Sequence, residues 1–253
     1  MAETKNMMVS DEDWELKILN YTEDTGNNKF RGCVVDNDNK IICPSLGYTA
    51  EFNVESDKEE LLAYLNNIDE WSWFYSMEGT MVRLFYHNNH WILCTHKKLS
   101  AFRSKWSCKY TFGEIFKQNL KNIFVENVGD TYEWFLSQLD KNKIYYFLIR
   151  CNSQNRIICH TSTIEPHETI IFIGQRKVDD MEFSLDIDCP IINKIMKPVS
   201  IPASINNTND IFKYVEESID PFQFQFCMIY FGFISVPISI KLWSSFDLIV
   251  FHL

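Results

Sequence analysis

Seven cations stand between Thr95 and Lys121: Lys97, Lys98, Arg103, Lys105, Lys109, Lys117 and Lys121, against the single acid Glu114. That is a local surplus of +6 in a chain whose net charge is −10. Phe102, Trp106 and Tyr110 are interleaved with these cations. Ammonium and guanidinium groups hold phosphates, and aromatic faces stack on unpaired bases. The segment therefore reads as a contact surface for phosphate or single-stranded nucleic acid, with Arg103 and Lys105 as its centre. The competing reading is a solvated helix face whose aromatic residues point into the core. Upstream lies Tyr75-Ser-Met-Glu78-Gly79-Thr80, a short polar entry to a strand. On its own, Glu-Gly-Thr is a common turn before a strand.

These residues need a frame. Met81–His87 and His90–His96 alternate as strands around Asn88-Asn89, which tolerate the positive φ angles of a tight hairpin. Two more hairpins are expected. Phe30–Asp36 and Lys40–Cys43 flank Asn37-Asp38-Asn39, and Lys143–Arg150 and Asn155–Cys159 flank Asn152-Ser153-Gln154. A further strand is expected at Thr169–Ile173. Helices interrupt them. Ser56-x-x-Glu59 and Thr111-x-x-Glu114 are capping boxes, the second ahead of Ile115, Phe116, Leu120, Ile123 and Phe124 at helical spacing. Asp130–Leu139 and the shorter Asp210–Glu217 complete the set. Strand pairs with interspersed helices, without strict βαβ alternation, indicate an α+β chain with antiparallel sheets.

The hairpin with its flanks resembles the front of the covalent nucleotidyltransferases, the ATP-dependent RNA and DNA ligases and capping enzymes. Their first motif reads Lys-x-Asp/Glu-Gly, then a hairpin, then a basic segment. Here Glu78 and Gly79 match, Arg83 matches an arginine shortly after the nucleophile, and Thr95-His-Lys-Lys98 with Phe102-Arg-Ser-Lys-Trp106 match the basic segment. Tyr146–Ile149 followed by Asn155-Arg156-Ile157-Ile158 resembles the RNA-ligase pattern Phe-Glu-Leu-Val…Asn-Arg-Ile-Val. The likeness spans roughly residues 25 to 225 and is nearest to RNA-ligase-like proteins of large DNA viruses. It implies antiparallel sheets with packed helices around a nucleotidyltransferase (ATP-grasp-like ligase) core. It further implies nucleotide contacts from Glu78, Gly79, Arg83 and Lys97, nucleic-acid contacts from Arg103, Lys105 and Arg156, RNA or DNA ends as partners, and ATP with Mg²⁺ if the protein is active.

Four departures fall on positions that carry the family's chemistry. Ser76 occupies the place of the lysine, and a hydroxyl cannot form the lysyl phosphoramidate. Leu148 or Ile149 stands where a ribose-binding glutamate is expected, and Gln225-Phe226 where a metal-binding Glu-Gly is expected. The closing Lys-x-Lys is reduced to Lys241-Leu242-Trp243. The resemblance thus implies a catalytically impaired ligase-like protein, with Lys98 as the only candidate substitute nucleophile. The alternative is a non-enzymatic viral protein, either a binding relative or one with a membrane-associated tail.

Composition bounds these readings. The chain has 253 residues, 46% of them apolar and 23% charged, enough for a sizeable core and unlike a disordered chain. Eight cysteines show no CxxC pair, and the first residues lack an apolar signal core, so we expect reduced, mostly buried thiols in a cytoplasmic protein, in host cytoplasm if viral. His87 and His90 face each other across the hairpin, but without a third residue at ligand spacing no metal site is assigned. We expect one nucleotidyltransferase-like domain over 1–225 and an apolar tail over 226–253. From Pro221 onward only Lys241 and Asp247 are charged. A buried strand pair, a membrane segment and a frameshifted end all fit that composition.

Overall fold

The computed structural model describes residues 7–21, 31–46, 50–53, 57–65, 71–75, 79–106, 109–127, 129–151, 169–179, 183–200, 210, 213–214, 226–231 and 238–241. The strands in chain order are β1 (Met7–Asp13), β2 (Leu16–Tyr21), β3 (Cys33–Asp36), β4 (Ile41–Cys43), β5 (Ala50–Asn53), β6 (Trp71–Tyr75), β7 (Thr80–His87), β8 (His90–Cys94), β9 (Lys143–Arg150), β10 (Thr169–Lys177), β11 (Phe183–Ser184), β12 (Phe226–Phe231) and β13 (Ile238–Lys241). The α-helices are α1 (Lys58–Leu65), α2 (Phe112–Ile123) and α3 (Thr131–Ser137). Backbone packing divides the chain into two units: 1–47 with 79–156 and 166–197, and 48–78 with 157–165 and 198–253.

The first unit holds two sheets. One has the order β1-β2-β3-β4, the other β11-β10-β9-β7-β8, and all of their pairs are antiparallel. The β7–β8 hairpin turns at Asn88 and Asn89, with φ of 45° and 66°, as the amide side chains led us to expect. The β1–β2 turn uses the same region at Trp14 and Glu15, with φ of 51° and 62°. Neither residue type favours it; Trp14 N–H donates to Asp13 Oδ1 at 3.0 Å across the turn.

Helix α2 starts at the Thr111 capping box. Thr111 Oγ1 accepts from Glu114 N–H, and Glu114 Oε2 accepts from Thr111 N–H at 2.7 Å. Its apolar face, Phe112, Ile115, Phe116 and Leu120, packs with Phe135 and Leu136 of α3 onto the sheet residues Val82, Leu84, Tyr145, Phe147, Ile149, Ile170 and Phe172. Period two along the strands puts these alternate residues on one face. Phe147 is the centre of that core. Its ring lies 5.2 Å from Phe116, 6.4 Å from Phe135 and 5.6 Å from Phe172, each in an edge-to-face arrangement.

The second unit contains a mixed sheet of order β5-β13-β12-β6. β12 pairs antiparallel with β13 and β6, while β13 runs parallel to β5. The strand-pair reading of the apolar tail therefore holds over β12 and β13, and residues on both sides of position 225 share this unit. Among the described residues no helix is long and apolar enough to cross a membrane. The expected third hairpin differs: its first strand is β9 as expected, but the partner of β9 is β10, and residues 152–160 lie outside the described ones. Ser56 and most of the expected helix at 210–217 also lie outside them.

Phe147→Ala removes the ring on which both helices and the sheet converge. We expect it to cost about 3–5 kcal/mol, read as a lowered urea midpoint with unchanged slope.

Candidate nucleotide and nucleic-acid site

Arg83 organises the expected site. It lies on β7, only 1% exposed. Its Nη2 donates to the Thr95 carbonyl at 2.9 Å, and its Nη1 to the Cys43 carbonyl at 3.4 Å. The side chain thus joins the end of β8 to the end of β4. Register pairs Arg83 with Cys94 on one side and Tyr146 on the other, and the Arg176 guanidinium lies 5.8 Å from the Tyr146 ring. Burial drives the Tyr146 phenol well above its usual range. The neighbouring thiols favour the charged form of Arg83 and outweigh the cost of burial.

Thr95 fixes the turn that carries the lysine pair. Its N–H donates to the Lys98 carbonyl at 2.8 Å, and its Oγ1 accepts from Lys98 N–H at 3.0 Å. Lys97 is exposed on this turn. Lys98 Nζ lies 3.4 Å from Asp11 Oδ1, while Arg103 reaches Asp11 Oδ2 at 3.2 Å and Asp13 Oδ2 at 3.1 Å. Asp11 also accepts from Leu99 N–H at 2.8 Å. Sequence reasoning missed Asp11, because nothing in residues 7–13 marks that strand as the neighbour of residues 98–103. A nucleophilic amine is activated by apolar or cationic surroundings. Lys98 instead faces a carboxylate and is 44% exposed, a setting that suits holding phosphate better than attacking it.

Gly79 shows why the Glu-Gly pair needs glycine. A Cβ there would meet the Ile149 carbonyl oxygen at 2.6 Å. Ser76, Glu78 and Arg156 lie outside the described residues. Lys105 is exposed and acts on the Glu114 carboxyl, which its hydrogen bonds with Thr111 hold below its usual range.

Trp106 and Tyr110 of the basic segment are 40% and 51% exposed, so the core reading does not hold for them, whereas the Phe102 ring, 36% exposed, packs against Gly113 and Tyr132. Lys117 Nζ lies 5.3 Å from the Phe102 ring and 4.5 Å from the Tyr132 ring. A groove of about 480 Å³ opens beside them, lined by Trp14, Trp91, Phe102, Lys117, Tyr132 and Glu133 among others. Lys98 and Arg103 each share charge with Asp11, which leaves Lys97, Lys105 and Lys109 as exposed cations nearby.

His96 lies between these features. A Cβ on Gly32, which has φ of +66°, would fall 2.5 Å from its Nδ1, so the loop can close over the imidazole only with glycine. Asn20 ties the two together, accepting from Gly32 N–H at 2.9 Å and donating to the His96 carbonyl at 3.3 Å. Burial first, then the charges of Arg31, Arg83 and Lys97, push His96 down to about 2.

ATP and Mg²⁺, implied by the resemblance, meet different surroundings. Of the two lysines expected on phosphate, Lys97 is exposed and Lys98 is paired with Asp11. Among the described residues no three His, Cys, Asp or Glu side chains converge as a metal site would require, and His87 and His90 pair across the turn without a third ligand.

The imidazole gives a pH test. The unfolded chain protonates histidine near 6.5, the folded one only near 2, so the unfolded state binds more protons in between. Stability is full above about 6.5 and falls as pH drops, by up to about 1.4 kcal/mol per pH unit from this group. Urea midpoints between pH 7 and 5 should show that slope in the parent chain and a flatter one in His96→Gln.

No family model matches the sequence. Among curated proteins, the immediate-early protein ICP-46 homolog of Invertebrate iridescent virus 3 is 29% identical over 219 residues, covering 83% of this chain and 45% of that protein. The homolog from Invertebrate iridescent virus 6 is 31% identical over 124 residues, 44% of this chain and 25% of that protein. The chain thus spans less than half the length of these relatives. Among solved structures, an archaeal ATP-dependent RNA ligase superposes with a TM-score of 0.53 at 9% identity, over 94% of this chain and 59% of the ligase. A provisionally named ATP-dependent DNA ligase of Aquifex aeolicus gives 0.51 at 11% identity, with the same coverage of 94% and 59%. The chain has the α+β nucleotidyltransferase fold of ATP-dependent ligases, and its homologues in sequence are viral ICP-46 proteins.

Proposed function

We propose that this protein is a ligase-like nucleotidyltransferase that binds phosphate groups of a nucleotide or nucleic-acid end and has lost nucleotidyl transfer. The observation that carries the reading is the ligase fold, extending over 94% of the chain, with the Thr95–Lys98 turn anchored on Arg83. In this reading Glu78 orients the nucleotide, while Gly79 admits the chain against Ile149. Lys97 and Lys98 hold phosphates, and Arg83 positions their turn rather than touching the ligand. Arg103, Lys105 and Arg156 contact the nucleic acid. Bound ATP and Mg²⁺ would supply an activated α-phosphate and its charge neutralisation, but Ser76 offers no amine to accept the nucleotidyl group. The protein acts in host cytoplasm, and its apolar strands β12 and β13 complete the sheet of the second unit.

The exposed Trp106 and Tyr110 support single-stranded RNA or DNA as the polymer, because stacking tolerates any base. The membrane alternative has less support, since the tail's described residues form strands paired within a sheet.

Incubation with α-labelled ATP or GTP and Mg²⁺ should give no labelled band that survives denaturation. A band lost in Lys98→Ala would overturn the assignment of inactivity and make Lys98 the nucleophile. Separately, Lys97→Ala/Lys98→Ala should weaken single-stranded RNA binding and reduce the slope of log affinity against log salt by about 1–2. An unchanged slope would remove the lysine pair from the interface.

A further inference from the structure

The groove beside the basic segment carries polar groups that the protein itself leaves unused. It lies within the first unit, measures about 480 Å³ and is lined by Trp14, Trp91, Leu99, Phe102, Lys117 and Tyr132 among others. That volume is in the range of sites that take a small ligand. Lys117 of α2 is half-buried, with its ammonium over the Phe102 and Tyr132 rings at 5.3 and 4.5 Å. Among the described residues it has neither an ion pair nor a hydrogen bond. Tyr132 is only 7% exposed, yet its hydroxyl also has no hydrogen-bond partner among them. A buried phenol ordinarily finds one. Two donors thus line the groove with nothing to donate to.

The walls are aromatic and held in place. Trp91 stands edge-on to Tyr86 at 5.4 Å, and Phe102 edge-on to Tyr132 at 5.9 Å. Trp14 sits at the rim, 51% exposed, in a left-handed turn conformation (φ 51°) that bulky residues rarely adopt. Lys117 is the one ammonium of the lining and Glu133 the one carboxylate. A lone cation suits a single phosphate, whereas a polyphosphate would bring charge that Glu133 repels. Flat aromatic walls suit a flat ring. Leu99 and Ser100 of the lining follow Lys97 and Lys98 in the chain, so a strand lying on the lysine turn can continue into the groove.

We propose that this groove seats one unpaired nucleotide of a single strand, with its base against Trp14 and Trp91 and its phosphodiester on Lys117. The Tyr132 hydroxyl is a further donor to it. The proposal rests on the ligase-like reading and gives the polymer a base-holding site, which the lysine turn lacks. Recognition is by stacking and one charge, so the groove accepts any base.

The full chain is titrated with a labelled short oligouridylate, followed by anisotropy at several salt concentrations. The variants used are those whose urea midpoints match the parent's. Trp14→Ala should weaken binding about fivefold or more and leave the salt slope unchanged. Lys117→Gln should weaken it and lower the slope of log affinity against log salt by about 0.7. With an abasic oligomer of the same length, Trp14→Ala should bind as the parent does, because no base remains to stack. Equal weakening on the abasic oligomer would overturn the proposal. So would parent-like affinity of both groove variants; if binding were then lost in Lys97→Ala/Lys98→Ala, the lysine turn alone would be the interface. Weakened groove variants beside an unaffected lysine-pair variant would support the groove and remove the turn. A parent chain that binds no oligonucleotide would overturn both.

Discussion

The first unit depends on how it houses one positive charge. A guanidinium taken out of water is costly unless its donors are used and its charge is offset. Arg83 uses its donors on two main-chain carbonyls, with no carboxylate among its main electrostatic neighbours. The carbonyls come from β4 and from the residue after β8, so a single side chain sets the spacing between two sheets. Replacing it by an apolar chain of similar length would leave both carbonyls without that donor in a dry interior. The same side chain reaches the turn with the lysine pair, which ties core stability to the geometry of Lys97 and Lys98.

A second constraint works from the surface inward. Asp11 gathers Lys98, Arg103 and Leu99 N–H around one carboxylate. Exposed ion pairs contribute little stability, but this carboxylate is 12% exposed and fixes three points of the segment after β8. It also trims the local positive surplus. The basic segment is thus less uniformly cationic in space than along the chain, and the exposed aromatics gain weight beside its remaining lysines.

Much of the first unit was legible because its signals are local. Asn88-Asn89 marks a turn by amide chemistry, Thr111-x-x-Glu114 marks a helix start by reciprocal hydrogen bonds, and the helical spacing of apolar residues in α2 matches its burial. Other elements carried no local mark. The β1–β2 turn is built from Trp14 and Glu15, which give no turn signal. β10 replaced the nearer segment as partner of β9, a choice made by tertiary packing rather than by turn residues. Of the expected site, motif spacing placed Arg83 on a strand and Lys97 and Lys98 on the turn after the hairpin. Their actual partners were not readable: the Cys43 and Thr95 carbonyls that Arg83 holds lie 40 and 12 residues away, and Asp11 lies 87 residues from Lys98.

The sheet of the second unit has a consequence for how the chain comes to be folded. Its strands β5 and β6 are made early, yet each has its only described ladder with β13 or β12, more than 150 residues later. While the ribosome is still working through the intervening sequence, Trp71–Tyr75 and Ala50–Asn53 have no strand to join. Such long-range pairing closes slowly and leaves strand edges bare in the meantime. The aromatic run Trp71-Ser-Trp-Phe-Tyr75 therefore waits for its ladder until Phe226–Phe231 has been made.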